Sequence, residues 1–361
     1  MIKLLVIPSL IFISLSCGKS STSTQPDSEA KEITSILYAK HFKISMKEKQ
    51  TVLEIMDPET GMIQREIDIS PFTQTKNPEP VSIVALSSTH IGMISKLNEA
   101  NKIVGVSGMQ YVSNALVKAN FEQKKVIELG EESTIPLEQI IQSKANIIIY
   151  SGFGKEFPHQ KQLEKLGIIC IPNYDWKELH PLGKAEWIKL FGVLLKKEQA
   201  ANDYFTHIEK EYKSLKELAK NSKKSDCLFS GNVFGDFWYT PAGESFNAQI
   251  FKDANCAYAY ENSKGIGSLS LTLEEVLQQN ATCKYWINPG ASTLDELKQQ
   301  NPKAVFFDAF KKNNVYCYSK EGNNFWEMSA IEPHKVLSDI IQLTHPEMHL
   351  EKPLYFYSQL K

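Results

Sequence analysis

Arginine is all but absent. Among 361 residues and 40 basic side chains, Arg65 is the single arginine. A guanidinium fork grips carboxylate or phosphate through two parallel hydrogen bonds, which lysine cannot do. The chain beyond Arg65 therefore has no bidentate clamp for a strongly anionic ligand. An excess of either charge is also missing. The net charge of −2 gives no electrostatic reason to expect a nucleic-acid partner. Six cysteines are present, none in a CxxC pair. Behind Cys17 stand Cys170, Cys227, Cys256, Cys283 and Cys317, an odd set that cannot pair completely within one chain. Cys170, Cys227 and Cys283 fall in apolar, strand-like runs, so they read as small core hydrophobes and not as a disulfide framework.

Catalytic signatures are missing too. The nearest approach to G-x-S-x-G, Gly243-Glu244-Ser245-Phe246-Asn247, lacks its last glycine. Gly154-Lys155 lacks the earlier glycine and the hydroxyl residue of a phosphate-binding loop. No dinucleotide fingerprint follows the first strand pattern, where "SSTHIG" stands instead. The eight histidines are dispersed, which does not suit a zinc or manganese site of three or four converging ligands. The expectation is no enzyme and no bound metal. An extracytoplasmic two-lobed hydrolase and a free zinc or manganese carrier are the rival readings. Turnover of a substrate would favour the hydrolase.

What is present begins with a leader. "MIKLLVIPSLIFISLSC" has one lysine, an apolar run from Leu4 to Leu15, and small residues before Cys17. A membrane-spanning helix needs roughly 20 apolar residues, so this run reads as a secretory signal. The polar stretch 18–36 cannot bury a core and reads as a flexible tether. Residues 37–80 alternate in places, as a β-rich extension and connector would.

From Val81 the grammar changes. "VSIVALS", "KIVGVSG", "NIIIYSG" and "IICIPNYD" read as buried strands separated by helical patterns. Strands alternating with helices mean a mostly parallel sheet. Residues 81–180 thus form a first α/β lobe. Residues 181–225 carry the longest helical pattern, with a break expected near Gly192–Lys197. The piece from about Glu198 to Lys220 would run about 35 Å, enough to cross between lobes. Residues 226–361 repeat the lobe grammar. The repeat is audible in "TIPLEQIIQSKANIIIY" (Thr134–Tyr150) and "SLTLEEVLQQNATCKYWI" (Ser270–Ile287), each a helix running into a strand. The fold class is α/β: two Rossmann-like lobes with mostly parallel sheets, joined by one long helix, with a ligand cleft between them.

These segments, with "LEKLGIICIPN", "WYTPAGESFNAQIFKDANCAYAY" and "FDAFKKNNVYCYS", resemble the substrate-binding proteins of bacterial ABC importers over about Val81 to Pro346. The resemblance is to the helical-backbone class that carries iron–siderophore complexes, haem or vitamin B12. "DWKELHPLGKAEWIKLFG" and "NNFWE" look like the Bacteroidetes version. The resemblance implies a monomer that hands a metal chelate to a permease dimer and keeps no cofactor of its own. It implies lipidation at Cys17, a membrane held through that anchor, and a periplasm-facing address, since "CGKSST" lacks acidic surface-export residues. It also implies permease docking by Glu138 and Glu274, one acidic anchor for each lobe. A carboxylate in a helix's first turn complements the positive helix end as well, and can pair bidentately with arginine on a partner.

Ligands of open α/β sheets sit at the carboxyl ends of the strands. The loops there offer Tyr111, Phe153, Tyr174, Trp176, Phe234, Trp238, Tyr239 and Trp326, with Lys155 as one charge. Aromatic walls suit flat, partly apolar ligands, and with arginine lacking they favour a corrinoid, haem or a neutral chelate. His90, at the first helix start, is a further candidate for ligand contact. His180 stands at the next crossover.

Overall fold

The computed structural model describes residues 31–74, 80–153, 156–318, 324–350 and 352–361. Cys17 and Lys155 lie outside the described residues. Four sheets organise the described residues. The first is an antiparallel meander of Phe42–Lys47, Gln50–Met56 and Ile63–Asp68, extended at its edge by Lys31–Glu32. Residues 31–36, expected within the tether, therefore belong to folded structure. The Ile33 amide donates to the Ile44 carbonyl, and Thr34 is buried.

The second sheet is all parallel, in the order Ile127–Glu128, Ile103–Val106, Ile83–Ala85, Ile147–Tyr150, Ile169–Pro172. The third takes Ala257–Tyr258, Cys227–Ser230, Tyr285–Ile287 and Val315–Tyr318 in parallel, and adds Tyr357–Gln359 antiparallel at its edge. The repeated sequence occupies equivalent places. Helix Leu137–Ser143 feeds a strand beside Ile83–Ala85, and helix Leu273–Asn280 feeds one beside Cys227–Ser230. Each lobe's first strand is thus flanked by the strand that follows the repeated helix.

Helices Pro181–Glu186, Ile188–Leu194 and Glu198–Lys220 join the lobes. The break falls at 195–197, where Lys196 takes a φ of +55°. The last helix buries Ala201, Phe205, Ile208, Tyr212 and Ala219, a stripe at helical spacing, and leaves Asp203, Lys210, Lys213, Glu217 and Lys220 exposed. One continuous apolar cluster runs from Phe42 of the meander through Trp187 and Phe191 to Ile340 of the second lobe. The meander is seated by two buried carboxylates. Glu186 accepts from the amides of Leu37, Tyr38 and Ala39, and Glu178 from those of Lys40 and His41. Burial raises the Glu178 carboxyl to about 7. Arg65 is spent here as well: it donates to the Cys170 carbonyl at 2.9 Å and pairs with Glu164.

Two further readings need correction. Cys227 and Cys283 are joined by a disulfide across neighbouring parallel strands. Periodicity marked both as buried but could not show that their strands are adjacent. Such a bond persists in oxidising compartments. Cys170, Cys256 and Cys317 carry buried thiols. The second correction concerns "SGNVFGDFWYTPAG", which is no loop. Asn232–Phe234 and Phe237–Pro241 form an antiparallel hairpin that Ser268–Leu271 extends. Among the described residues, no helix is long and apolar enough to cross a membrane.

Candidate functional site

Between the lobes, at the carboxyl ends of both parallel sheets, lie two adjoining cavities that share Ser87 and Ser88. The inner one, about 420 Å³, is walled mainly by the second lobe. Tyr239, Phe246, Tyr318, Phe325 and Trp326 give it aromatic walls, and Ser87, Ser268, Asn247 and Asn288 bring polar atoms. The Asn288 amide donates to the Tyr357 hydroxyl, while its Oδ1 is buried without a partner. The outer cavity, about 840 Å³, lies against the first lobe and includes Tyr111, Phe153, Glu128, Glu131, Glu132 and Glu156. Tyr111 meets Trp326 edge-on at 6.3 Å, so one aromatic contact spans the cleft. Burial raises the Glu132 carboxyl, although the amides of Ser151 and Gly152 donate to it.

The lobes touch directly behind these cavities. Helix Phe325–Met328 of the second lobe packs on helix Ser88–Lys96 of the first. Ser88 Oγ donates to the Trp326 carbonyl at 2.9 Å. The Glu327 carboxylate accepts from Ser113 N, Ser113 Oγ and Asn114 N.

Of the aromatic candidates, Tyr111, Phe153, Tyr239 and Trp326 face this cleft. The others sit elsewhere, for identifiable reasons. Trp238 is 0% exposed. Hairpin alternation turns it inward, where it packs with Phe229, Trp286 and Phe307, while its neighbour Tyr239 points to the cavity. Phe234 stands at the hairpin tip, 82% exposed, and lines neither cleft cavity. Tyr174 is buried toward the meander, its hydroxyl donating to Gln64 at 2.8 Å. Trp176 lines a side pocket with Tyr174 and Phe153, and donates to the Ser151 carbonyl.

His90 does not reach the cleft either. Helix Ser88–Lys96 is enclosed on several sides, and His90 is fully buried beside Phe191. Neither ring nitrogen has a well-formed hydrogen bond. Burial lowers its pKa to about 4, against the pull of Asp175 and the Ile149 carbonyl. His180 caps helix Pro181–Glu186, accepting from the Leu182 amide at 3.0 Å. Among the described residues, no three His, Cys, Asp or Glu side chains converge on a metal-sized site.

On the outer surface, Glu138 and Glu274 are exposed in the first turns of the two repeated helices. Glu275 is taken up by a capping box with Thr272, which leaves Glu274 as the outward carboxylate of the second copy. Glu274 pairs with Lys303 at 2.9 Å.

Sequence reasoning missed Lys184, Phe246 and Tyr318, all on the inner cavity wall. Phe246 opens its helix, and Lys184 sits in the last turn of the short helix Pro181–Glu186, whose Pro181 also lines the cavity. A helix whose start abuts the crevice places its opening residues there, and that is the signal that could have found them.

The sequence pattern of the periplasmic binding protein family matches residues 83–321. An uncharacterized lipoprotein of Methanocaldococcus jannaschii is 24% identical over 286 residues, covering 76% of this chain and 67% of that relative. The periplasmic haem-binding protein HutB of Vibrio cholerae superposes with a TM-score of 0.59 at 13% identity, covering 72% of this chain and 98% of its own. An ABC-type Fe3+-hydroxamate transport protein of Saccharomonospora viridis gives 0.56 at 17% identity, covering 77% and 96%. The two superpositions speak to the fold.

Proposed function

Since the chain belongs to the periplasmic binding protein family, we propose that it is the substrate-binding component of an ABC importer whose cargo is a metal chelate. Haem, a corrinoid and an iron–siderophore complex are the chelate types that suit it. The observation that carries this reading is the aromatic cavity between two parallel-sheet lobes. Flat, partly apolar molecules are held by such walls with few polar contacts. Structural relatives named for haem and for ferric hydroxamate lend support. The Bacteroidetes motifs carry the narrower assignment, to which the archaeal relative does not speak.

The chain works here as a monomeric carrier without a resident cofactor. It is anchored through Cys17 and faces the periplasm. The disulfide and a relative named as a lipoprotein agree with that address. The linking helix and the contact through Glu327 favour small lobe motions on binding over wide hinge closure.

The test is a tryptophan-fluorescence titration of residues 20–361 with haemin, cyanocobalamin and a ferric hydroxamate, corrected for absorbance. One of them should quench saturably at submicromolar concentration, and Trp326→Phe should remove most of the signal. Silence from all three would sink the chelate reading.

Docking is tested separately. The double variant Glu138→Ala, Glu274→Ala should bind its chelate as the parent does. Its transport should fall by about tenfold or more, because two charge-assisted contacts to the permease are gone. Undiminished uptake would refute the two-anchor arrangement.

A further inference from the structure

Among the described residues that line the inner cavity, Lys184 is the only one with a charged side chain. It rises from the linking helix Pro181–Glu186, and its Nζ lies 4.2 Å from the centre of the Phe246 ring. No described carboxylate comes within ion-pair distance of it. Asp175 acts on it from beyond that distance and does not line the cavity. Desolvation lowers the lysine's pKa and outweighs the opposing pull of Asp175.

The surrounding backbone has the same sign. The first turns of three helices line this cavity: Ser88 and Thr89 of Ser88–Lys96, Phe246 and Asn247 of Phe246–Asp253, and Pro333 of Pro333–Thr344. Each helix start carries a partial positive charge from its aligned peptide dipoles. A half-buried lysine and three positive helix ends thus share one carboxylate-free space. The outer cavity is opposite in character, with Glu128, Glu131, Glu132 and Glu156. A ligand with several negative charges would be repelled there, whereas one acidic group reaching the inner end would be attracted.

We infer that the inner cavity is an anion subsite in which Lys184 holds a single acidic group of a flat, largely apolar ligand. The group can be a carboxylate, a sulfonate or a phenolate, and the rest of the molecule is neutral or cationic toward the first lobe. This deepens the cargo reading, and rests on it only in taking the cavity as the place where cargo sits. It explains how a chain with one arginine could recognise an anionic ligand: a desolvated ammonium over an aromatic ring replaces the guanidinium fork.

The test uses a matched pair of probes on residues 20–361. One is the monoanionic 1-anilinonaphthalene-8-sulfonate, the other the uncharged N-phenyl-1-naphthylamine. Lys184→Met should weaken the sulfonate by about tenfold or more and leave the neutral probe within about twofold. Lys184→Arg should restore most of the sulfonate affinity. Trp326→Ala should weaken both probes, which locates them in the cavity. Thermal unfolding of each variant confirms a folded sample, and Lys184→Gln stands in if the methionine variant does not fold. Equal losses for both probes, an indifferent sulfonate, or no binding of either by the parent would overturn the inference. The probe pair is independent of the chelate titration. If no chelate binds but the probes discriminate, the chelate reading fails and the anion subsite stands.

Discussion

Gly92→Ala is expected to cost about 4 kcal/mol or more of stability and to weaken both naphthalene probes. A Cβ at Gly92 would stand 1.9 Å from the Glu327 carbonyl oxygen and 2.8 Å from its carbonyl carbon. Both are backbone atoms, so no rotamer change relieves the overlap. Either helix Ser88–Lys96 or helix Phe325–Met328 must move. Movement there draws Glu327 away from Ser113 and Asn114, the other lobe's share of the same contact. Two backbone amides and a carboxylate would lose their partners, each at a cost of roughly 1–3 kcal/mol. Trp326 rides on the displaced helix, which is why binding should suffer along with stability. Urea unfolding of the parent and variant measures the first effect, and probe titration the second. Gly267→Ala is the control: a Cβ there meets nothing within 4 Å, and its effect should stay within about 1 kcal/mol. An unchanged midpoint for Gly92→Ala would mean that the two lobes do not touch at this point in solution.

How much of this was legible in the sequence depends on which signal each residue gives. The parallel sheets were readable because Ile147–Tyr150 and its counterparts are short apolar runs between helical patterns. The break before Glu198 was readable from helix length alone. The hairpin at Phe237–Pro241 was not, because four aromatic or β-branched residues beside glycines read equally well as a cleft loop. Once the hairpin is known, period 2 assigns Trp238 inward and Tyr239 outward. His90 was misplaced because helix starts normally border the crevice. Here the start does border the crevice through Ser88 and Thr89, but the next residue turns inward beside Phe191, and only tertiary packing shows it. Lys184 was invisible for a related reason. Nothing local distinguishes it from the other lysines; what sets it apart is the absence of a carboxylate around it, and an absence in space leaves no mark on the chain.

Glu186→Ala should be comparably severe, at about 4 kcal/mol. The Glu186 carboxylate is fully buried and accepts from three successive amides, those of Leu37, Tyr38 and Ala39, at 2.7–2.9 Å. It also pairs with Lys189 at 2.7 Å, and Lys189 is itself nearly buried. Alanine would leave three donors and an ammonium in the interior. The ammonium keeps one hydrogen bond, to the Ser35 carbonyl, and its place near the Phe205 ring. Removing one partner of a buried ion pair is the expensive case, while replacing both by apolar groups is far cheaper. The double variant Glu186→Ala, Lys189→Met should therefore recover part of the loss, though not the part owed to the amides. Hydrogen exchange at residues 37–47 is the local readout, and should rise well before global unfolding. A single-variant cost under about 1 kcal/mol would show that Glu186 is not what seats the meander. The functional consequence follows from helix Pro181–Glu186, which shows Lys184 to the ligand cavity and Glu186 to the meander. Loosening the meander should free that helix. The sulfonate probe, which depends on where Lys184 stands, should then lose more affinity than the neutral one.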